Sequence, residues 1–216
     1  MRRLRILVAD DHPVVRGGLR QLLSEAPDVG DVGEAADPQQ ILDAARTGTW
    51  DVIVLDLGLP GRGGLDVLRI LKDEQPGRPV LVLSMHAEDQ YAIRALRAGA
   101  AGYLTKEAAP DKLLEAIRKV AAGGRHVSPA VAEQLAGAIG GDATGAPLHA
   151  ALSDREFEVL RLIASGKTVG DIAGVLSLSV KTVSSYRARI LDKMGLRNNA
   201  ELMKYAMEHR LVDLDL

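Results

Sequence analysis

Short, strongly apolar segments alternate with amphipathic stretches through the first 123 residues, and this alternation limits the possible folds more than any other feature. Between the segments, apolar residues recur at helical spacing, as Val15, Leu19, Leu22 and Leu23 do. Strands that alternate with helices are typical of βαβ units and a parallel sheet, and nearly continuous apolar strands indicate a sheet covered on both faces. We therefore predict an α/β domain with five helices and five parallel strands, at Leu4–Ala9, Val32–Ala35, Val52–Leu55, Val80–Leu83 and Ala101–Leu104.

The sequence after Leu152 contains no strand-like run and predicts an all-α domain of four helices. Between the two regions, glycines and a proline follow one another from Gly137 to Pro147, and this composition favours a mobile linker. We predict a first domain over residues 1–123, a linker over residues 124–150 with a helix at 128–139, and a second domain over residues 151–216.

The composition excludes several classes of protein. The chain of 216 residues has no cysteine, so disulfides, thiolate nucleophiles and zinc–thiolate sites are excluded. No segment approaches the roughly 18 apolar residues of a membrane-spanning helix, and the apolar run after the basic N-terminus is too short for a signal peptide. We expect a cytoplasmic protein without membrane contact. The net charge of −2 does not by itself indicate nucleic-acid binding, so each domain must be considered alone.

Polar residues stand where the predicted strands end. Asp10 and Asp11 follow the first strand, Asp56 follows the third, Ser84 the fourth and Lys106 the fifth. Sites in open parallel sheets form beyond the carboxyl ends of the strands, so we expect these residues to share one cleft. Three carboxylates held together repel one another, so they either raise their pKa values or recruit a cation, and oxygen ligands suit Mg²⁺. Asp56 can then act as a carboxylate nucleophile toward a phosphoryl group, with Lys106 and Ser84 contacting its oxygens.

Each of these residues also has an ordinary structural interpretation. An Asp at a strand end is commonly a helix cap, and Asp11 could cap a helix that has Pro13 at its first position. Lys106 alone would be a solvated lysine and Ser84 a turn hydroxyl. His12 is expected to be structural or exposed to solvent, without a metal partner. The joint placement of the acids, the serine and the lysine favours a site.

Several motifs resemble the receiver domain of two-component response regulators over roughly residues 4–122. They are Asp10-Asp11, the block DLGLPGRGGLDVL beginning at Asp56, Ser84, and the run from Gly102 to Lys106. The resemblance implies a flavodoxin-like fold and a phosphoacceptor role for Asp56, which would receive its phosphoryl group from a sensor histidine kinase. It also implies a Mg²⁺ site formed by Asp10 (through water), Asp11, Asp56 and the Gly58 carbonyl.

The same resemblance implies that Ser84 and Tyr103 form a switch pair, in which the hydroxyl moves toward the phosphoryl group and the ring turns inward. The alternative for Tyr103 is a half-buried ring with a solvated hydroxyl. One departure is Glu107, which follows Lys106 where many receivers have proline, so the geometry of that peptide bond stays open.

The second region has the pattern of a helix-turn-helix. Ser153 and Glu156 form a capping-box pattern before one helix, and Ser179 is the expected N-cap of a later helix that follows a short turn. That later helix carries a predicted buried stripe of Val183, Ile190, Leu191 and Met194. Basic residues outnumber acids between positions 181 and 197, and their charge can face DNA phosphates: Lys181, Arg187, Arg189, Lys193 and Arg197. A solvated helix in a packing module is the alternative.

Residues 152–196, with an extension to about Val212, resemble the LuxR-type effector domain. The resemblance implies that Val180–Met194 is the recognition helix of the major groove. Base edges would be faced by Ser184, Ser185 and Ala188, and phosphates held by Lys181, Thr182, Arg187 and Arg189. Tyr186 could touch a phosphate or pack inside. It stands where histidine is frequent, and Ser184 stands where lysine is frequent, so no operator sequence is inferred.

A receiver joined to a LuxR-type domain resembles the NarL/FixJ subfamily of response regulators. The resemblance implies a transcription factor with no catalysis beyond its own phosphorylation and dephosphorylation. Its partners would be a histidine kinase, double-stranded operator DNA, a second copy when phosphorylated, and RNA polymerase. Dimers could form through residues 14–25, 88–98, 110–122 or 198–209. The alternatives are a Mg²⁺-dependent hydrolase with an aspartyl-phosphate intermediate and a degenerate receiver that regulates by binding another protein.

Overall fold

The computed structural model of the protein describes residues 2–59, 63–85, 88–139, 147–209 and 211–212. The chain divides into two compact units, Met1–Gly140 and Gly141–Leu216, which are described separately. The glycine-rich residues 140–146 of the predicted linker, and residues 60–62 of the motif after Asp56, lie outside the described residues.

The first unit is built on a sheet of five parallel strands in the order β2-β1-β3-β4-β5. The prediction of an α/β domain is therefore confirmed. The strands are β1 (Leu4–Ala9), β2 (Val29–Ala35), β3 (Val52–Leu55), β4 (Val80–Ser84) and β5 (Gly102–Thr105). The helices between and after them are α1 (Pro13–Ser24), α2 (Pro38–Thr47), α3 (Gly64–Glu74), α4 (Glu88–Arg97) and α5 (Ala109–Ala121).

The second strand begins earlier than its apolar residues predict. Leu4 pairs with Val29 and Arg5 with Asp31, so the register shifts by one residue at Gly30. β2 lies at the edge of the sheet and leaves Asp31 exposed. Polar residues are tolerated on an edge strand, which is why the apolar pattern did not mark this start.

Both faces of the sheet are buried, as the continuous apolar strands predict. Alternate residues such as Ile6, Val8 and Val54 pack in a cluster with α5, in which Leu113 and Ile117 are fully buried. The residues between them are equally inaccessible to solvent: Leu7, Ile53, Leu55 and Val82. A sheet covered on both faces leaves only the strand ends open, so a site must form there.

A sixth helix, α6 (Pro129–Ile139), belongs to the first unit and lies against α4. The segment before α6 forms an isolated parallel bridge between His126 and Gly102 of β5. This part of the predicted linker is therefore packed on the sheet domain.

The described part of the second unit is helical, which confirms the all-α prediction. A short 3₁₀ helix (Leu148–Ala151) precedes α7 (Asp154–Ala164), α8 (Val169–Val175), α9 (Val180–Met194) and α10 (Asn199–Glu208). The capping box of Ser153 with Glu156 and the N-cap Ser179 are both confirmed. Gly195 ends α9 in the left-handed conformation, with φ of 65°. The core contains Phe157, Leu160, Ile172, Val183, Ile190 and Leu202. No helix in the described part of the chain is long and apolar enough to span a membrane.

Candidate functional sites

The carboxyl ends of the strands bring the predicted polar residues into one cleft. The ammonium nitrogen of Lys106 lies 2.8 Å from Asp56 Oδ2 and 2.7 Å from Asp10 Oδ2. Backbone bonds fix these positions, because the Asp56 amide donates to the Ala9 carbonyl and the Lys106 amide donates to the Ser84 carbonyl, both over 2.8 Å. Asp56 is only 4% exposed and Asp10 only 2%. Two carboxylates are thus held out of water against one lysine.

Burial affects the ionisation of this cluster. Burial raises the pKa of the Asp56 carboxyl above its ordinary value, and the hydrogen bond from Lys106 offsets the rise only in part. Burial alone would lower the pKa of Lys106, but the bonds to Asp10 and Asp56 outweigh it and raise that pKa. One ammonium therefore does not fully compensate the buried acids, and a further cation would stabilise their charged form.

The donor set of the cleft suits a divalent cation. One ligand atom from each of Asp10, Asp11, His12 and Asp56 lies within 4.8 Å of the others. Carboxylate oxygens suit Mg²⁺, which keeps several waters, and the partly exposed Asp11 leaves one side of the cluster open to water. Gly58 is close as well, since its amide donates to the Asp56 carboxylate and an added Cβ would lie 3.3 Å from Asp56 Oδ2. The residues present fit a Mg²⁺ site.

The start of α1 differs from one of the ordinary interpretations. His12 is exposed to solvent, as expected, at 63%, and its Nδ1 lies 2.8 Å from Asp11 Oδ1 and 3.3 Å from Asp10 Oδ1. Asp11 is not the cap of α1. The N-cap is His12, whose amide donates to Asp10 Oδ1 over 2.8 Å. The tight turn before α1 places the His12 imidazole beside Asp10 and Asp11. The spacing of apolar residues in the sequence does not indicate such a contact.

Sequence reasoning missed Arg16. Its guanidinium donates to the Asp10 carbonyl oxygen over 2.7 Å, and its Nε lies 3.6 Å from Glu34 Oε2 on β2. The side chain is 15% exposed, so this bond holds the loop that carries Asp10 and Asp11. In the sequence, Arg16 is an arginine one helical turn after Pro13, and this position alone does not predict a contact with the Asp10 loop.

Ser84 and Tyr103 are both inaccessible, at 1% exposure each. The alternative of a half-buried Tyr103 with a solvated hydroxyl is therefore wrong, because the ring is already inside the unit. Tyr103 stands opposite Val82 in the β4–β5 register, and Ser84 stands opposite Thr105. The Lys106–Glu107 peptide, whose geometry the sequence left open, is trans.

The second candidate site is the outer face of α9. Lys181, Ser184, Ser185, Ala188 and Arg189 are exposed there, as are Val180, Asp192 and Lys193, while Thr182, Tyr186 and Arg187 are half-buried. Val183, Ile190 and Met194 form the buried stripe, and Leu191, expected with them, is only partly buried. Small side chains and cations therefore share the solvent face of one helix.

The basic side chains of α9 differ in whether they contact other residues of the second unit or face solvent. Lys193 is bound to the buried carboxylate of Glu156, with its Nζ 2.7 Å from Oε2. Arg187 donates from Nε to Asn199 Oδ1 over 2.6 Å. The Arg189 guanidinium lies over the Tyr186 ring, 5.6 Å from its centroid, and stays exposed. Lys193 thus supports the packing of α9 on α7, whereas Lys181 and Arg189 face solvent.

Comparisons with known proteins match both units. Residues 6–118 match the family model described as the response regulator receiver domain, and residues 150–206 match that of bacterial regulatory proteins of the luxR family. The chain is similar to the response regulator UvrY of Escherichia coli K12, at 35% identity over 98% of this chain and 97% of that one. The response regulator GacA of Pseudomonas aeruginosa is 38% identical, over 97% and 98% of the two chains.

Solved structures of similar sequence agree. The RcsB response regulator of Salmonella typhimurium is 29% identical with a TM-score of 0.70, over 96% of this chain and 98% of that one. RcsB of Salmonella enterica serovar Typhimurium, bound to promoter rprA in the presence of the phosphomimetic BeF3⁻, is 28% identical with a TM-score of 0.65. In that comparison the similarity covers 94% of this chain and 98% of the other.

Proposed function

The chain belongs to the two-component response regulators, in the NarL/FixJ subfamily that joins a receiver to a LuxR-type DNA-binding domain, and from this premise we propose that phosphorylation of Asp56 controls its binding to promoter DNA. The observation that carries the proposal is the buried Asp56 carboxylate held 2.8 Å from Lys106 at the ends of the strands. As a regulator of transcription, it acts where the chromosome lies, in the cytoplasm.

In the proposed reaction an Asp56 carboxylate oxygen attacks the phosphorus of a phosphohistidine on a sensor kinase. A P–O bond forms as the P–N bond breaks, and the donor imidazole keeps the electron pair and takes up a proton. Lys106 counters the added negative charge, because its ammonium is held at the acceptor carboxylate. The chain catalyses only this step and the later hydrolysis of its own acyl phosphate.

Asp10, Asp11, Asp56 and the Gly58 carbonyl would hold Mg²⁺ in the cleft. When bound, this ion neutralises charge on the phosphoryl oxygens. Arg16 keeps the Asp10–Asp11 loop in place through the Asp10 carbonyl. These residues make the site specific for a phosphoryl group and divalent cation together.

The output would be DNA binding by α9. Lys181, Thr182, Arg187 and Arg189 hold phosphates, Ser184, Ser185 and Ala188 face base edges, and Tyr186 supports Arg189. Ser84 and Tyr103 respond to the phosphoryl group, and phosphorylation favours a dimer that meets two half-sites. RNA polymerase is the further partner expected of a promoter-bound regulator. The DNA-bound RcsB supports this reading for a similar chain.

The test is phosphorylation by acetyl phosphate with Mg²⁺, followed by intact-mass measurement and by binding to genomic DNA fragments. Wild type should gain one phosphoryl group and bind DNA more tightly. Asp56→Asn should gain none and keep the weaker affinity. Asp66→Asn, a change at an exposed carboxylate on α3, is the matched control and should behave as wild type.

Other outcomes would support the alternatives. Labelling of Asp56→Asn as efficient as that of wild type would exclude Asp56 as the acceptor. Many turnovers of a phosphate ester per chain would indicate a hydrolase. Binding to a protein, with no salt-dependent DNA affinity, would indicate a regulator that acts through protein contacts alone.

Arg189 and Lys193 should differ in their effect on DNA binding. Arg189→Ala should weaken binding by about 1–2 kcal/mol and reduce the slope of log K against log salt by about 1, because one phosphate contact is lost. Lys193→Ala should change this slope little, since its ammonium is bound to Glu156. Fluorescence anisotropy at several salt concentrations measures both. Equal slopes for the two variants would contradict the assignment.

A further inference from the structure

The fold does not require the imidazole of His12, although His12 is the N-cap of α1. Its side chain makes no capping hydrogen bond. The bond at this position comes from the backbone, because the His12 amide donates to Asp10 Oδ1 over 2.8 Å. Pro13 begins α1 and sets its first backbone angle. Another side chain at position 12 would therefore leave the start of the helix intact.

The imidazole nevertheless lies at the acids of the cleft. The side chain is 63% exposed, yet its Nδ1 lies 2.8 Å from Asp11 Oδ1 and 3.3 Å from Asp10 Oδ1. One ligand atom from each of Asp10, Asp11, His12 and Asp56 lies within 4.8 Å of the others. Two ligands of one octahedral ion, each at a bond length of about 2.1 Å, are separated by about 3–4 Å. A small closing of the cluster would bring all four atoms to that spacing.

Asp10 is the acid least available for direct contact with an ion. Its Oδ1 accepts from the His12 amide over 2.8 Å, and its Oδ2 lies 2.7 Å from the Lys106 ammonium nitrogen. The side chains best placed for direct contact are then Asp11, Asp56 and His12. Two carboxylates and one imidazole form a mixed set of oxygen and nitrogen donors.

A mixed donor set changes which ions bind well. Mg²⁺ is bound by oxygen ligands, whereas an imidazole suits the transition ions of the first row. Among these, Mn²⁺ also accepts the carboxylate and water ligands that suit Mg²⁺. A nitrogen ligand from His12 therefore favours Mn²⁺ over Mg²⁺ and still permits both ions to bind.

We propose that His12 is a direct metal ligand of the phosphorylation site and makes this site selective for a first-row transition ion, with Mn²⁺ bound more tightly than Mg²⁺. The sequence predicted no metal partner for His12, and the ligand set given above for Mg²⁺ omits it. The inference rests on the proposed function only in taking the cleft as a site for a divalent ion. Because the ring is exposed, it can turn toward an ion without a change in the backbone.

Electron spin echo spectroscopy of Mn²⁺ bound to the full chain, without a phosphoryl donor, tests the proposal. A coordinated imidazole gives a nitrogen modulation of the echo that water and carboxylate oxygens do not give. Wild type should show this modulation, and His12→Ala, which removes no capping bond, should lose it. The control is His209→Ala, at an exposed histidine of the second unit, which should keep the modulation.

Metal affinities give a second readout. His12→Ala should weaken Mn²⁺ binding about 10- to 100-fold, since even the outer-shell partners of metal ligands contribute this much to affinity. Mg²⁺ binding should change little, because Mg²⁺ relies on oxygen ligands and water. The signal of free Mn²⁺ measures the first affinity, and competition between the two ions measures the second.

The inference and the proposed function fail on different results. A wild-type spectrum without nitrogen modulation, or an unchanged Mn²⁺ affinity of folded His12→Ala, would overturn the role of His12. Such a result would leave the proposed function standing if acetyl phosphate still adds a phosphoryl group to Asp56. Nitrogen modulation in a chain that acetyl phosphate does not label would support the role of His12 and remove the proposed function.

Discussion

Lys106→Ala is expected to slow phosphorylation of Asp56 by acetyl phosphate about 100- to 1,000-fold, the usual effect of removing a group aimed at developing charge. The ammonium lies 2.8 Å from Asp56 Oδ2 and is only 10% exposed, so water cannot replace it in the same position. Stopped-flow or timed intact-mass measurements with acetyl phosphate and Mg²⁺ would give the rate constant.

The control for this variant is Lys112→Ala, an exposed lysine on α5 in the same unit. It should keep the wild-type rate. Lys106→Ala also leaves two buried carboxylates without their partner, which costs about 3–5 kcal/mol in such pairs. Trp50 fluorescence must therefore show that the first unit is folded before rates are compared. A folded Lys106→Ala protein with the wild-type rate would contradict the role of the lysine.

Glu156→Ala is expected to destabilise the second unit by about 2–3 kcal/mol, because a helix cap and a charged hydrogen bond are lost together. The Glu156 carboxylate accepts from the Ser153 amide over 2.8 Å and from Lys193 over 2.7 Å, and its side chain is 3% exposed. Trp50 lies in the first unit, so its fluorescence should stay unchanged. Helical circular dichroism in urea would report the loss.

The effect of Glu156 should depend on pH. Burial alone would raise the pKa of this carboxyl, but the bonds from Lys193 and Ser153 outweigh it and lower the pKa below the ordinary 4.5. The contribution to stability is therefore fully present above pH 4.5 and is lost as pH falls through the folded-state pKa. The control is Glu208→Ala on α10, whose exposed carboxylate pairs with Lys204 and should cost below about 0.5 kcal/mol. Equal costs for both changes would contradict the role of the buried carboxylate.

The elements that sequence reasoning found are those whose signal is local. Apolar runs predicted β1, β3 and β4. Because sites in open parallel sheets form at the carboxyl ends of the strands, the sequence alone also predicted that Asp10, Asp56 and Lys106 lie together. The caps Ser153 and Ser179 were found because a cap is a relation between residues three positions apart. Each of these features depends on a few neighbours in the chain.

The features that sequence reasoning missed depend on contacts between distant residues. Lys193 looked like part of a DNA-facing cluster, yet it is bound to Glu156, 37 positions away. Arg187, which we propose holds a phosphate, also donates from Nε to Asn199 of the next helix. The bridge between His126 and Gly102 joins two backbones and leaves no apolar pattern at all. The spacing of residues within one helix describes that helix alone. It therefore cannot tell whether a basic side chain binds a DNA phosphate or a residue of another helix.

The bridge at His126 also protects the sheet against aggregation through its strand edges. The two outer strands of the sheet are unlike: β2 exposes Asp31 and Glu34, whose charges discourage pairing with another chain. β5 has the sequence GYLT and carries no charge, so its open hydrogen-bonding edge would be a template for aggregation. The chain's own residues shield this edge. A variant in which this segment no longer pairs with β5 would expose that uncharged edge, and we expect it to aggregate more readily than wild type.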